Sequence, residues 1–191
     1  MDWMKQVSDV LDRYGDVNPN RPPDSVHADF DRFAQQAPPE AIQEGLSAAF
    51  RSDQTPEFAQ MASQLFGRAP GYQRAGMLNA LLAAVGPMVL QQILARRQRG
   101  PSPAAAQGGG LGGVLGNILR GGGPPHVSPE VAEQVSTQEV EEIAREAEKK
   151  DPSVIDRISE VYSQQPELLK VLGSVALGVA LGKMAQKRRA F

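Results

Sequence analysis

Between Gly100 and Pro125 the sequence turns mostly to Gly, Pro and Ala, and the stretches on either side resemble each other. A segment of that composition is a linker, not a packed element. Any core must therefore be assembled from the segments on its two sides. Pro56 and Pro70 stand as far apart as Pro152 and Pro166. A slide of 96 residues lays Phe58 on Val154, Ala62 on Ile158, Leu65 on Val161 and Phe66 on Tyr162. Further along, Ala80, Leu81, Ala84, Gly86 and Met88 meet the identical residues Ala176, Leu177, Ala180, Gly182 and Met184. Upstream, a small adjustment in the loop before Pro56 brings Ala34, Gln36, Ile42, Glu44 and Asp53 over Ala132, Gln134, Val140, Glu142 and Asp151. The pattern predicts an internal duplication, each copy ending in a long apolar helix that needs a partner.

Both copies read as helical. Trp3, Val7, Val10, Leu11 and Tyr14 recur at three- and four-residue steps, the spacing of an amphipathic helix. Gly15 and prolines 19, 22 and 23 end it, and Asp24 and Ser25 suit the start of a helix carrying Phe30 and Phe33. Pro38-Pro39 stops that helix and opens another, because proline is tolerated in a first turn. Helices are expected at 39–51, 56–67, 71–98, 129–135, 137–150, 153–164 and 167–189. No sustained two-residue alternation signals a strand. The fold class is all-α: two pseudo-repeated helical modules, 24–99 and 127–191, preceded by an amphipathic helix and loop (1–23) and joined by a Gly/Pro-rich linker (100–126). Phe58, Leu65, Leu81, Val85, Val161, Leu177 and Leu181 are expected in the core.

Composition narrows the chemistry. Only 5% of residues are aromatic against 41% hydrophobic, so the core is aliphatic and Ala-rich. Net charge is −2, without the basic excess of a nucleic-acid binder. Cysteine is absent, which removes disulfides, thiol nucleophiles and Cys-bearing zinc sites together. Met1-Asp2-Trp3-Met4-Lys5 lacks the basic and apolar regions of a signal peptide, so a cytoplasmic location is expected. The longest apolar runs, Ala80 to Leu90 and Val171 to Gly182, fall short of the roughly 20 residues that span a bilayer, and read as core helices.

The motifs divide into packing and charge. Gly178 and Gly182, with Ala176 and Ala180, form a small-residue stripe that lets two helices approach closely. Gly108, Gly112 and Gly116 repeat at four-residue steps beside Leu111, Leu115 and Ile118, a short apolar island inside the linker. Gly108-x-Gly110-x-x-Gly113 matches a dinucleotide fingerprint only formally, since no strand precedes it. His27-x-Asp29-x-Asp31 spreads around a helix instead of converging on one ligand, and its acids complement the helix dipole. Glu139 to Lys150 is a solvated charged face. Arg96, Arg97 and Arg99, and Lys187, Arg188 and Arg189, close the two apolar helices, where they suit the dipole or an anionic membrane surface.

The tract Gly108 to Gly123, the adjoining Ser128-Pro129-Glu130-Val131-Ala132-Glu133-Gln134-Val135, and Pro152-Ser-Val-Ile-Asp-Arg-Ile-Ser159 together resemble the bacterial YidB-like family over roughly residues 105–160. The last segment looks like that family's Pro-x-Val-Val-Asp-x-Leu-Thr-Pro element, although Glu160 and a further helix replace its closing Pro-Asp-Gly turn. The resemblance implies a helical bacterial-type protein and brings no active site with it. The residues name no catalytic group, cofactor, metal ligand or small-molecule substrate. They point to a non-enzymatic interaction or assembly protein that self-associates or docks a partner helix. The alternative is a peripheral membrane protein using the apolar helices, the island at 111–119 and the basic ends Arg96, Arg97, Lys187, Arg188 and Arg189; an enzyme with an unrecognised site ranks third.

Overall fold

A computed structural model describes residues 5, 7–18, 21–98, 112–113, 116 and 126–189. Among them the regular structure is helical, with no strand. In chain order the helices are α1 (Ser8–Tyr14), α2 (Val26–Gln36), α3 (Pro39–Phe50), α4 (Phe58–Arg68), α5 (Gly71–Gln98), α6 (Pro129–Ala132), α7 (Thr137–Lys150), α8 (Val154–Ser163), α9 (Pro166–Leu169) and α10 (Gly173–Arg189), with a 3₁₀ turn at Lys170–Leu172.

The boundaries reflect local chemistry. Proline occupies the first turn of α3, α6 and α9, where its missing N–H costs nothing. Ser136 and Glu139 form a reciprocal capping box at α7: the Ser136 N–H donates to Glu139 Oε2 at 2.8 Å, and the Glu139 N–H donates to Ser136 Oγ at 3.3 Å. Arg74 closes α4 from the next helix. Its guanidinium donates to the carbonyls of Ala69 and Gly67 at 2.8 and 2.9 Å and lies over the Phe66 ring. Ser25 precedes α2 as expected but makes no side-chain cap; its hydroxyl donates to Asp29 instead.

The two long helices are not continuous. Gly86 (φ 74°, ψ 167°) interrupts α5 immediately before Pro87, and Gly173 (φ 80°, ψ 164°) separates the 3₁₀ turn from α10. Both residues have positive φ, which glycine adopts without Cβ strain. By length and composition alone, 71–93 and 166–187 are apolar enough to cross a membrane, a test that core helices also pass. Yet 44% and 56% of their apolar windows are buried within the protein, so each also serves as a core helix.

The chain forms two compact units, of which only the second is one continuous stretch of sequence. One comprises residues 1–61 and 155–191; the other comprises 62–154. In the first, α10 packs against α3, α2 and α1. Its core includes Leu11, Phe30, Phe33, Leu46, Tyr162, Leu177 and Leu181, with Phe50 and Phe58 edge to face at 5.4 Å. Each such side chain contributes about 1.5–3 kcal/mol on burial. In the second, α5 packs against α6 and α7, burying Met77, Leu78, Leu81 and Val85 with Val140, Ile143, Ala144 and Ala147. Asn79 fixes the approach to α6: its Oδ1 accepts from the Val127 N–H at 2.8 Å. Of the expected core residues, Val161 is only half-buried and the others are buried.

Candidate interaction groove

In the first unit α3 and α10 come closest where Gly45 faces Ala180. A Cβ placed on Gly45 would sit 3.3 Å from both the Cβ and the carbonyl oxygen of Ala180. The helices spend their apolar stripes on this contact. Ala176, Leu177, Gly178, Ala180, Leu181 and Met184 of α10 are buried, as are Ala41, Ile42, Leu46 and Ala49 of α3. Beside that seam lies a second pair of faces, also at helical spacing: Glu40, Gln43, Glu44, Ser47, Ala48 and Arg51 on α3, and Val179, Gly182, Lys183 and Gln186 on α10. They line an open groove of about 760 Å³ together with Tyr14, Gly15, Val17, Ser52, Gln54 and Asp156.

The groove lining combines small side chains, Ala48, Val179 and Gly182, with charged ones, Glu40, Glu44, Arg51, Asp156 and Lys183. Arg51 donates from Nη1 and Nη2 to the two oxygens of Asp156 at 2.8 and 2.7 Å, a bidentate pair. Gln43 Nε2 donates to the Asp156 carbonyl at 3.2 Å, fixing the start of α8 against α3. The Arg51 guanidinium, helped by the Ser47 hydroxyl, holds the Asp156 carboxyl below its ordinary range, and Asp156 in turn raises Arg51. Lys187 on α10 pairs with Glu44 on α3. The ionised forms of Arg51 and Asp156 stabilise one another, so this pair is suited to holding segments together and not to exchanging a proton near neutrality.

The residues singled out from sequence fall in different places. Ala176 and Ala180 are 1% and 3% exposed and Gly178 is buried, all inside the unit, whereas Gly182 is half-buried at the groove, 3.5 Å from the Tyr14 carbonyl oxygen when given a Cβ. Lys187 is tied to Glu44. The side chains of Arg96, Arg97, Arg188 and Arg189 lie outside the described residues, as do Leu111, Leu115 and Ile118 and the N-terminal Trp3. Two features of the groove go beyond the sequence motifs: Gly45, whose place on an apolar helical stripe is a cue to close approach, and the Arg51–Asp156 pair, which carries no local signal.

The His27-x-Asp29-x-Asp31 triplet separates as its spacing requires. Asp29 is 1% exposed and accepts hydrogen bonds from Ser25 Oγ at 2.7 Å, Tyr14 Oη at 2.9 Å and Arg13 Nη1 at 3.1 Å. It ties α1 to α2. Burial, followed by the Asp29 carboxylate, pushes the Tyr14 phenol well above the usual tyrosine range. Asp31 instead pairs with Lys170 at 3.1 Å. Among the described residues no group of three His, Cys, Asp or Glu side chains could hold a metal ion.

No known protein family, curated protein or solved structure matches this chain.

Proposed function

We propose that this chain is a non-enzymatic interaction protein that docks an amphipathic partner helix or associates with itself. The observation that carries the reading is the groove between α3 and α10. Its lining includes the small side chains Ala48, Val179 and Gly182 and the Arg51–Asp156 ion pair, and Glu44 in that lining is paired with Lys187. A pre-formed trough of that kind suits the helix-in-groove mode of recognition, in which an apolar stripe enters and polar residues meet the rim. A photo-cross-linking residue at position 179, compared with one at the exposed Glu57, tests it in producing cells. A discrete adduct from position 179 alone supports docking in the groove. Equal labelling from both positions, or none from position 179, overturns it.

The reading includes a duplicated origin and retains the YidB-like likeness of residues 105–160. Two findings support duplication. Helices α3 and α7, and α4 and α8, begin at the offsets at which the sequence superposes. Packing is also reciprocal: α3 rests on α10, and its counterpart α7 rests on α5, the counterpart of α10. The proposed setting is the cytoplasm.

A second reading has its own support. The helices at 71–93 and 166–187 are long and apolar enough for a bilayer, and Met88 and Tyr72 are 78% and 57% exposed in the second unit. On this reading the chain binds an anionic membrane surface. Flotation with neutral and anionic liposomes at two salt concentrations separates the two. Salt-sensitive co-flotation that weakens in Arg188→Ala/Arg189→Ala favours the membrane, and failure to float removes it.

A further inference from the structure

In each unit a set of ties joins residues before the linker to residues after it. In the first unit Asp31 meets Lys170, Gln43 and Arg51 meet Asp156, Glu44 meets Lys187 and Gly45 meets Ala180. In the second Asn79 meets Val127, Gly71 lies against Pro129 and Glu133, and Gly67 lies against Thr137. The cores are shared in the same way, α10 resting on α2 and α3 and α5 resting on α6 and α7. A stretch of 26 residues, 100–125, links the two contributors. Covalent connection raises the concentration of one contributor around the other, but it supplies none of these contacts.

We propose that the halves 1–98 and 126–189 are mutual binding partners whose recognition does not require the linker, so that a half of one copy of this chain accepts the complementary half of a second copy. The chemistry of the contacts specifies the partner. A Gly45-bearing helix needs a small residue, Ala180, opposite it. Asp156 needs a guanidinium and an amide donor, Arg51 and Gln43. Asn79 needs an extended backbone segment, Val127, offering one N–H and one C=O. This inference is independent of whether the groove docks anything else.

The test uses the full chain with residues 104–107 replaced by a protease site and cut after folding. The cut protein is expected to keep the mass and helix content of the uncut chain at high concentration and to dissociate on dilution, which the uncut chain does not. Diluted together with an isotopically heavy copy and reconcentrated, it is expected to give mixed light–heavy pairs in native mass spectra, as abundant as the parental pairs. Gly45→Leu is expected to weaken association of the cut halves at least tenfold while leaving the uncut chain at its single-chain mass. Should that variant fail to fold, Arg51→Ala/Asp156→Ala, which loosens the same pairing from an exposed position, is expected to shift the dissociation midpoint in the same direction. Halves that part as soon as the linker is cut, or that never form mixed pairs, overturn the proposal.

Discussion

Both oxygens of Asp156 receive a hydrogen bond from the guanidinium of Arg51, at 2.7 and 2.8 Å, across a sequence separation of 105 residues. The pair is nearly half exposed on each side, so solvent screens it and it contributes only about 0.2–1 kcal/mol. The Asp156 carboxyl is held below its ordinary value of 3.8, so its contribution is present above that pH and is lost as pH falls through the lowered folded value. Asp156→Asn is therefore expected to lower the urea midpoint slightly at neutral pH. The difference from wild type should disappear in strong acid and shrink at high salt. An equal difference at every pH would show that the pair's charge is irrelevant.

Gly45 and Gly182 both lie within helices and should respond oppositely. A side chain at Gly45 meets the Cβ and carbonyl oxygen of Ala180 at 3.3 Å, and one of those atoms is backbone. Gly45→Leu is expected to cost about 1–3 kcal/mol from overpacking. Gly182→Ala brings only an ordinary 3.5 Å approach to the Tyr14 carbonyl and relieves a glycine within a helix, so it should be neutral or stabilising by up to about 1 kcal/mol. Denaturant melts of the two variants decide the matter.

Tyr14→Phe removes one of the three hydrogen bonds on the buried Asp29 carboxylate and is expected to destabilise by about 1–3 kcal/mol. Tyr14 has a folded pKa raised above its ordinary 10.0, so its contribution is intact below that pH and declines as pH rises toward the folded value. Alkaline unfolding should accordingly be less steep in Tyr14→Phe. In a spectrophotometric titration, Tyr14 should ionise only with unfolding.

The hydroxyl of Ser159 is buried in the first unit without a hydrogen-bond partner among the described residues. Removing it abolishes an uncompensated desolvation. Ser159→Ala should raise the thermal midpoint, by an amount corresponding to about 1 kcal/mol or more. A lower midpoint would mean that the hydroxyl is satisfied.

Gly86 holds φ at +74°, so Gly86→Ala carries backbone strain of roughly 1–2 kcal/mol wherever its methyl points. Chemical denaturation should show that loss. An unchanged midpoint would argue for an unbroken α5.

The helices were legible because their stops are chemical: prolines 39, 129 and 166 and the Ser136–Glu139 pair mark starts within a residue or two of where they fall. Ala84 and Ala180, which a slide of 96 residues superposes, are both buried, but the superposition does not predict burial everywhere. Met88 and Met184 superpose in sequence, yet one is 78% exposed and the other 4%. The cause is Gly86, which leaves the helix where Gly182 stays within it. A glycine's φ cannot be read from helical periodicity, and neither can its effect on every residue downstream. Pairing across the linker was hidden for a different reason. Arg51 and Asp156 are single charges in separate segments, and no spacing rule connects them.

The interleaving of the first unit also sets an order of events on the ribosome. Helices α5, α6 and α7 emerge in succession, so the second unit can close soon after Val154 is made. Helices α1, α2 and α3 precede these, yet the helix that packs on all three, α10, is made after them. At translation speeds of roughly 5–20 residues per second, those early helices stay half-built on the order of ten seconds. Until α10 is made, the faces of α2 and α3 on which it packs are uncovered in the nascent chain.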